Sequence, residues 1–217
     1  MSIISVRYTV HNTLYSITKE LRRLRLTPVL GFDVECRSAY TAEEIQEAKD
    51  LLKKPELLDA AHIVHMKLVA KSSGLSYPSI IRTTHFIFGL SEEESVILIA
   101  HDDKTEMLIW NWLVEYKGKL LIHNAMFDLK ICKERTGRLP VDFEDTMLLA
   151  KTYINNAENW KAKTGLKELV GGYYTPKWSM FEDYNIKNFN DPNFLQYCAI
   201  DGAAVVKLWN QLKEHKP

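Results

Sequence analysis

The sequence predicts an α/β fold in which one mixed sheet carries helices on both faces, and three observations predict it. A buried apolar run opens just after Pro28, two strand-like runs follow as a hairpin, and helical and strand-like segments then alternate to a long final helix. In order, residues 1–27 are polar and mixed, with a short helix through Ile17-Thr18-Lys19-Glu20-Leu21-Arg22-Arg23-Leu24. Val29-Leu30-Gly31-Phe32-Asp33-Val34-Glu35-Cys36 reads as a buried strand. Thr41-Ala42-Glu43-Glu44 has the form of a helix start, and helical spacing runs on toward Lys54 before Pro55. Residues 55–78 show no clear period, and Ser72-Ser73-Gly74 and Tyr77-Pro78 mark loop, so 40–78 reads as a helical insertion after the first strand. Residues 79–90 and 94–100, parted by a short acidic turn, form the hairpin.

The second half alternates. Met107, Leu108, Trp110, Trp112, Leu113 and Tyr116 give a helix that ends at Gly118, and Leu120-Leu121-Ile122 is a short buried strand. Phe127 to Arg135 is a helix closed near Gly137, a brief strand at Val141–Phe143 follows, and Thr146–Ile154 and Leu166–Leu169 are helical. Asp191 is the N-cap of the last helix and Pro192 suits its first position. Leu195, Cys198, Ala199, Gly202, Val205 and Trp209 give that helix its core stripe.

Composition narrows the class. At 217 residues the chain suits a single domain spanning 1–217, with no repeat or domain boundary. With 46% hydrophobic and 26% charged residues, and few glycines and prolines, it is neither mainly disordered nor fibrous. No apolar run reaches the ~18 residues of a membrane span, and Met1 to Arg7 lacks a signal-peptide pattern. Cys36, Cys132 and Cys198 fit neither a zinc pattern nor a disulfide framework, so a reducing, cytoplasmic compartment is expected. The 28 basic and 28 acidic residues cancel, which excludes a strongly basic coat but not a basic groove beside an acidic pocket.

The acids of the first strand are the strongest physical clue. Side chains alternate along a strand, so Leu30, Phe32, Val34 and Cys36 share one face and Gly31, Asp33 and Glu35 the other. At ~3.3 Å per residue the two carboxylates stand roughly 7 Å apart. Either that face is wet and the acids merely solvated, or the acids are buried and need a cation, because they repel each other and resist desolvation. His123-Asn124-Ala125-Met126-Phe127-Asp128 sits where a buried strand passes into a helix, the usual place for ligand sites in such sheets. Tyr197 and Asp201 lie four apart on one face of the last helix.

Asp33-Val34-Glu35, Asn124-Ala125-Met126-Phe127-Asp128 and Tyr197-Cys198-Ala199-Ile200-Asp201 resemble, in order, the three exonuclease motifs of the DEDD 3′–5′ exonuclease superfamily. Asp145-Thr146-Met147-Leu148-Leu149 resembles the helix after the second motif, and the resemblance covers about residues 28–213. Each motif alone is weak; three in order are specific. Tyr197, with Gln196 where the histidine branch carries its histidine, places the chain in the tyrosine branch, with the proofreading domains of family A DNA polymerases and the ribonuclease D group. The insertion at about 40–78 departs from the pattern, and no polymerase domain follows Pro217.

The resemblance implies a ribonuclease-H-like fold with a mixed sheet of about five strands, the second antiparallel to the rest. It implies a two-metal exonuclease that hydrolyses DNA, preferably single-stranded or frayed 3′ ends, to nucleoside 5′-monophosphates. Asp33, Glu35 and Asp201 would hold one Mg²⁺ or Mn²⁺ ion and Asp33 and Asp128 a second. Tyr197 would orient the attacking water or help to remove its proton, orientation being the safer role for a phenol. Asn124 either caps the following helix or helps hold the terminal nucleotide, with Phe127 beside it as a substrate-binding residue. A separate polymerase subunit is an expected partner. An exoribonuclease of ribonuclease D type and a catalytically silent nucleic-acid-binding module are the alternatives.

The remaining residues have plainer readings. Asp142, Asp145 and Asp183 are spare acids, Asp145 reading as a helix cap or supporting group ahead of a direct ligand. His123 reads as a hydrogen-bonded strand-end histidine ahead of a substrate contact, and the other histidines lack zinc spacing. Trp178 and Phe181 either anchor their loop or stack on a base. Arg22/Arg23/Arg25, Lys130/Lys133/Arg135/Arg138 and Lys161/Lys163/Lys167 are solvated faces or, for the second and third clusters, phosphate tracks beside the acidic pocket.

Overall fold

A computed structural model describes residues 3–71, 78–155, 163–176, 178 and 190–214. The elements are β1 (Arg7–His11), α1 (Leu14–Leu24), β2 (Val29–Ser38), α2 (Ala42–Leu51), α3 (Ala60–Lys71), β3 (Ile81–Ser91) and β4 (Glu94–Ile99). Then come α4 (Asp103–Glu115), β5 (Lys119–Ile122), α5 (Met126–Thr136), β6 (Phe143–Asp145), α6 (Thr146–Asn155), α7 (Leu166–Val170) and α8 (Pro192–Glu214). The sheet runs β1-β4-β3-β2-β5-β6. β3 is antiparallel to β2 and to β4, and every other pairing is parallel. This is the mixed α/β sheet flanked by helices that the sequence predicts, with the hairpin and its antiparallel strand in place.

The sheet has six strands, one more than the five expected. The addition is β1, which pairs with β4 from Arg7↔Glu94 to His11↔Leu98. It is an edge strand of polar and half-exposed residues, so it lacks the apolar run by which a buried strand is read. β6 begins at Phe143, two residues later than expected, although the Asp142 carbonyl already accepts the Leu120 N–H at 3.0 Å. Residues 60–71, without a readable period, form α3 because they pack on α2 around Ile45, Ala48 and Val69.

Local chemistry fixes the helix ends. Thr13/Ser16 and Thr41/Glu44 make reciprocal capping boxes at α1 and α2. Gly137 closes α5 at φ +70°, a left-handed conformation open to glycine. The Asp191 carboxylate accepts the N–H of Asn193 at 2.9 Å and of Phe194 at 3.2 Å, the cap the sequence predicts for α8.

The two faces of the sheet divide the core. Leu30, Phe32, Val34 and Cys36 pack with Ile17, Leu24, Trp110 and Ile131 under α1, α4 and α5. On the opposite face Ile87, Ile97 and Ile99 meet Cys198, Ala199 and Ala203 of α8. The alternation read from β2 therefore holds, and the face carrying Asp33 and Glu35 is the one α8 covers.

α8 lies unusually close to the sheet. Gly31 and Gly89 are register partners on β2 and β3. A Cβ at Gly31 would stand 2.5 Å from the Gly202 carbonyl oxygen, one at Gly89 2.1 Å from it, and one at Gly202 2.7 Å from Ile87 Cγ2. Only three glycines allow this contact of backbone on backbone, and it seats Asp201 against β2. Ser95 Oγ adds a 2.7 Å bond to the Ala199 carbonyl. No helix among the described residues is long and apolar enough to cross a membrane.

Candidate active site

β2 and α8 bring three acids together: one carboxylate oxygen from each of Asp33, Glu35 and Asp201 lies within 4.8 Å of the others. Asp33 and Glu35 are half-buried, and Asp201 is 7% exposed. Asp128, 4% exposed, enters from the first turn of α5, where the helix dipole favours a carboxylate. Its charge acts on Glu35, and the charge of Asp33 acts on it. Three of the four predicted acids thus meet within 4.8 Å, and the fourth, Asp128, lies near enough for its charge to be felt there.

Burial dominates their electrostatics. It pushes the Asp33 carboxyl up to about 6, against the pull of the Val34 backbone N–H and of the Lys167 charge. Burial first, then the neighbouring carboxylates, holds Glu35, Asp128 and Asp201 well above the usual carboxylate range. The Tyr197 phenol is raised by burial and then by Asp201, Glu35 and Asp33. A phenol so raised keeps its proton at neutral pH.

The hydrogen bonds leave two oxygens over. Asp201 Oδ1 accepts the Trp178 indole N–H at 3.0 Å, and the Tyr197 hydroxyl also bonds the Asp201 carboxylate. Asp201 Oδ2 and Asp128 Oδ1 are buried without a partner. Orphaned buried carboxylate oxygens beside three convergent acids fit a hard divalent cation, which takes oxygen ligands and offsets the repulsion.

The turn from β5 into α5 is held by a residue outside the cluster. Asn124 sits at φ +61°, a conformation asparagine tolerates. Asp145 accepts the N–H groups of Asn124 (3.1 Å) and Ala125 (2.9 Å), and those of Met147 (2.9 Å) and Leu148 (3.2 Å). One carboxylate therefore caps α6 and clamps the turn that delivers Asp128. Asn124 itself is exposed and does not cap α5, whose N-cap is Ala125. Phe127 and Met126 are exposed apolar side chains flanking it, at 39% and 62%. His123 Nδ1 pairs with Thr146 Oγ1 at 3.0 Å, and burial lowers its pKa, so it is a neutral strand-end histidine.

Other predicted residues lie elsewhere or act differently. Of the α5 basic cluster, Arg135 is turned inward while Lys130, Lys133 and Arg138 are exposed. Arg135 Nε bonds buried Glu106 at 3.1 Å and its guanidinium reaches the Ile81 carbonyl, while Lys133 Nζ bonds the Gly137 carbonyl at 2.6 Å. Arg138 is exposed and stands 3.9 Å from Glu115. Asp142 pairs with Lys119 at 3.0 Å. Arg23, on the far face of the sheet, pairs with Glu20 at 2.5 Å. His62 pairs with Asp59 and buried His85 packs edge-on to Phe194. Cys36 and Cys198 are buried, and burial raises both thiols, which makes them inert. Gln196 donates to the Val6 carbonyl at 3.3 Å, turned toward the chain's N-terminal segment. Asp183, Phe181 and Lys161 lie outside the described residues.

Sequence reasoning named Trp178 as a loop anchor or base platform and Lys167 as one of a basic cluster, without linking either to Asp201 or Tyr197. Trp178 is an anchor rather than a base platform: it is 1% exposed and holds Asp201. Lys167 Nζ stands 5.0 Å from the Tyr197 ring centre and 5.8 Å from that of Trp178. Its place in a lysine-rich stretch gave a signal, but no spacing rule links it to Tyr197.

A profile of the 3′–5′ exonuclease family matches residues 9–215. Solved structures share the fold. Escherichia coli RNase D, an exoribonuclease involved in structured RNA processing, is 14% identical with a TM-score of 0.57, covering 96% of this chain and 45% of that one. The Aedes aegypti Nibbler EXO domain is 11% identical with a TM-score of 0.63, covering 97% and 91%. Brucella melitensis NrnC with bound Mg²⁺ is 11% identical with a TM-score of 0.53, covering 97% and 81%. This chain thus spans less than half of RNase D. No curated protein matches it significantly by sequence.

Proposed function

The chain belongs to the 3′–5′ exonuclease family, of the DEDD kind, and from that premise we propose that it releases nucleoside 5′-monophosphates stepwise from single-stranded 3′ ends of DNA. The observation that carries this reading is the convergence of Asp33, Glu35 and Asp201 within 4.8 Å, beside buried carboxylate oxygens that have no partner. A scaffold gains nothing from such repulsion, which argues against a silent binding module.

Asp33, Glu35 and Asp201 would hold one Mg²⁺ or Mn²⁺ ion and Asp33 and Asp128 a second. Two such ions supply a polarised attacking water and a charge opposite the leaving 3′-oxygen. Tyr197, its proton retained by burial, orients that water through its hydroxyl and does not act as a base. Trp178 and Tyr197 both hydrogen-bond the Asp201 carboxylate, and Asp145 fixes the turn carrying Asp128. Phe127, with Met126, offers an exposed apolar edge against which a terminal base can stack, and Asn124 lies exposed beside it.

DNA is favoured because the second and third motifs and Asp145-Thr146-Met147-Leu148 look closest to polymerase proofreading domains, and a polymerase subunit is the corresponding partner. The likeness to RNase D, itself an exoribonuclease, favours a second reading in which this chain shortens RNA. Unpaired buried cysteines support a reducing compartment. Matched 5′-labelled DNA and RNA oligonucleotides, incubated with Mg²⁺ or EDTA, test the proposal. A ladder shrinking from the 3′ end of DNA in Mg²⁺ alone is expected. Shortening of RNA only would give the second reading, and no shortening of either would overturn both.

A further inference from the structure

The four site carboxylates carry four negative charges when ionised, and two divalent ions carry four positive ones. A phosphodiester then brings one further negative charge, which grows on its non-bridging oxygens as phosphorus becomes five-coordinate. A protein cation near the scissile group would offset that charge. Several basic groups lie around the site among the described residues. Arg135 is turned inward to Glu106, Lys133 is bound to the Gly137 carbonyl, and Lys163 is exposed.

Lys167 is placed differently. It is half-buried on α7, and its ammonium lies 5.0 Å from the centre of the Tyr197 ring and 5.8 Å from that of Trp178. Both rings belong to residues hydrogen-bonded to Asp201. Two aromatic rings hold an ammonium near the acids rather than in bulk water. Its charge reaches Asp33, Glu35 and Asp201, drawing each carboxyl down against the effect of burial.

We propose that Lys167 is a catalytic residue of the exonuclease reaction, its ammonium donating to a non-bridging oxygen of the scissile phosphodiester. The proposal rests on the exonuclease reading above. In the step it serves, the oxygen of water bonds to phosphorus and the bond from phosphorus to the 3′-oxygen of the penultimate nucleotide breaks. That oxygen takes up the proton released by the attacking water to become the new 3′-hydroxyl, and the terminal nucleotide leaves with a 5′-phosphate. Lys167 gives up no proton; it holds the phosphate before, during and after the bond change. Because charge on the phosphate rises toward the transition state, the lysine acts more on kcat than on KM. It should also hold the product by the same phosphate.

The test combines steady-state kinetics with equilibrium binding of a nucleoside 5′-monophosphate and of the matching nucleoside, both in Mg²⁺. Lys167→Gln should lower kcat roughly 10- to 100-fold, the loss expected for one hydrogen bond to a charged group, with KM within a few-fold. It should weaken the monophosphate about tenfold and leave the nucleoside unchanged. Lys167→Met keeps the apolar stem over both rings and carries the same expectations if glutamine disturbs the packing. Lys167→Arg should recover part of both losses, and Lys163→Gln should match the wild type. Wild-type kcat and monophosphate affinity in Lys167→Gln, or equal weakening of nucleoside and monophosphate, would overturn the proposal. A wild-type protein that neither shortens a strand nor binds the monophosphate would instead overturn the exonuclease reading.

Discussion

The indole N–H of Trp178 donates to Asp201 Oδ1 at 3.0 Å, so a residue 23 positions earlier in the chain sets the orientation of the last helix's functional acid. The other oxygen, Oδ2, is buried and unpartnered. Groups that orient ligand carboxylates in this way are typically worth 10- to 100-fold in metal affinity. Trp178→Phe keeps most of the ring but deletes the donor. The expected outcome is a rise of about that factor in the Mg²⁺ concentration for half-maximal activity, read by titration. An unchanged Mg²⁺ requirement would show that Asp201 is oriented without it.

The raised carboxyls predict an inverted pH dependence for the metal-free protein. Asp33 titrates at about 6 in the fold against an ordinary 3.8, so between those values the folded state keeps a proton that the unfolded chain has released. Stability therefore falls as pH rises through this window, by about 3 kcal/mol for Asp33 at ~1.4 kcal/mol per unit. Glu35, Asp128 and Asp201, raised further, extend the fall to higher pH. Thermal unfolding in EDTA should give a lower Tm at pH 8 than at pH 5, and Asp201→Asn should flatten the difference. A Tm that rises toward pH 8 in EDTA would contradict the repulsion on which the site is built.

Removal of an acid and removal of the phenol should separate ligand from orienter. Asp33→Ala and Asp201→Ala should abolish hydrolysis while leaving the metal-free fold as stable or more so, since each relieves repulsion. Tyr197→Phe keeps the ring and loses the hydroxyl. Positioned proton-transfer groups contribute about 10²- to 10⁴-fold, and an orienting hydroxyl belongs at or below the lower limit. Single-turnover rates should therefore fall by at most about 100-fold. A loss as large as that of Asp33→Ala would return Tyr197 to the role of base, and no loss would remove it from the mechanism.

What was legible in the sequence was whatever has a local period. β2 could be read because its alternation puts Phe32 and Val34 opposite Asp33 and Glu35, and its apolar face is continuous. Tyr197 and Asp201 follow from helical spacing, and Asp128 from the segment that passes from β5 into α5. Their union at one point came from resemblance to a family, because no local rule connects residues 33, 128 and 201. β1 was missed because an edge strand needs no apolar run. Arg135 was misread because a basic residue in sequence does not reveal that Glu106 lies buried beneath it. The bond from Trp178 to Asp201 crosses elements and leaves no periodic trace.

Gly89 illustrates the same limit and gives the sharpest structural test. In sequence it interrupts a good strand and looks like a weak point, since glycine packs nothing and costs entropy there. In the fold it faces Gly202 so closely that a Cβ would lie 2.1 Å from the Gly202 carbonyl oxygen. That atom is backbone inside α8 and has no rotamer by which to yield. Gly89→Ala must therefore push α8 away from β3 or bend the strand, at the ~1–3 kcal/mol typical of overpacking. Because Asp201 precedes Gly202 directly, the same displacement moves its carboxylate away from Asp33 and Glu35, and misplacement by about 1 Å costs on the order of 10²-fold in rate. Tm should fall and kcat should fall with it, even though Gly89 touches no substrate. Gly171→Ala is the control, since a Cβ there meets nothing within 4 Å. A stable, fully active Gly89→Ala would mean that the close seat of α8 on the sheet does not position Asp201.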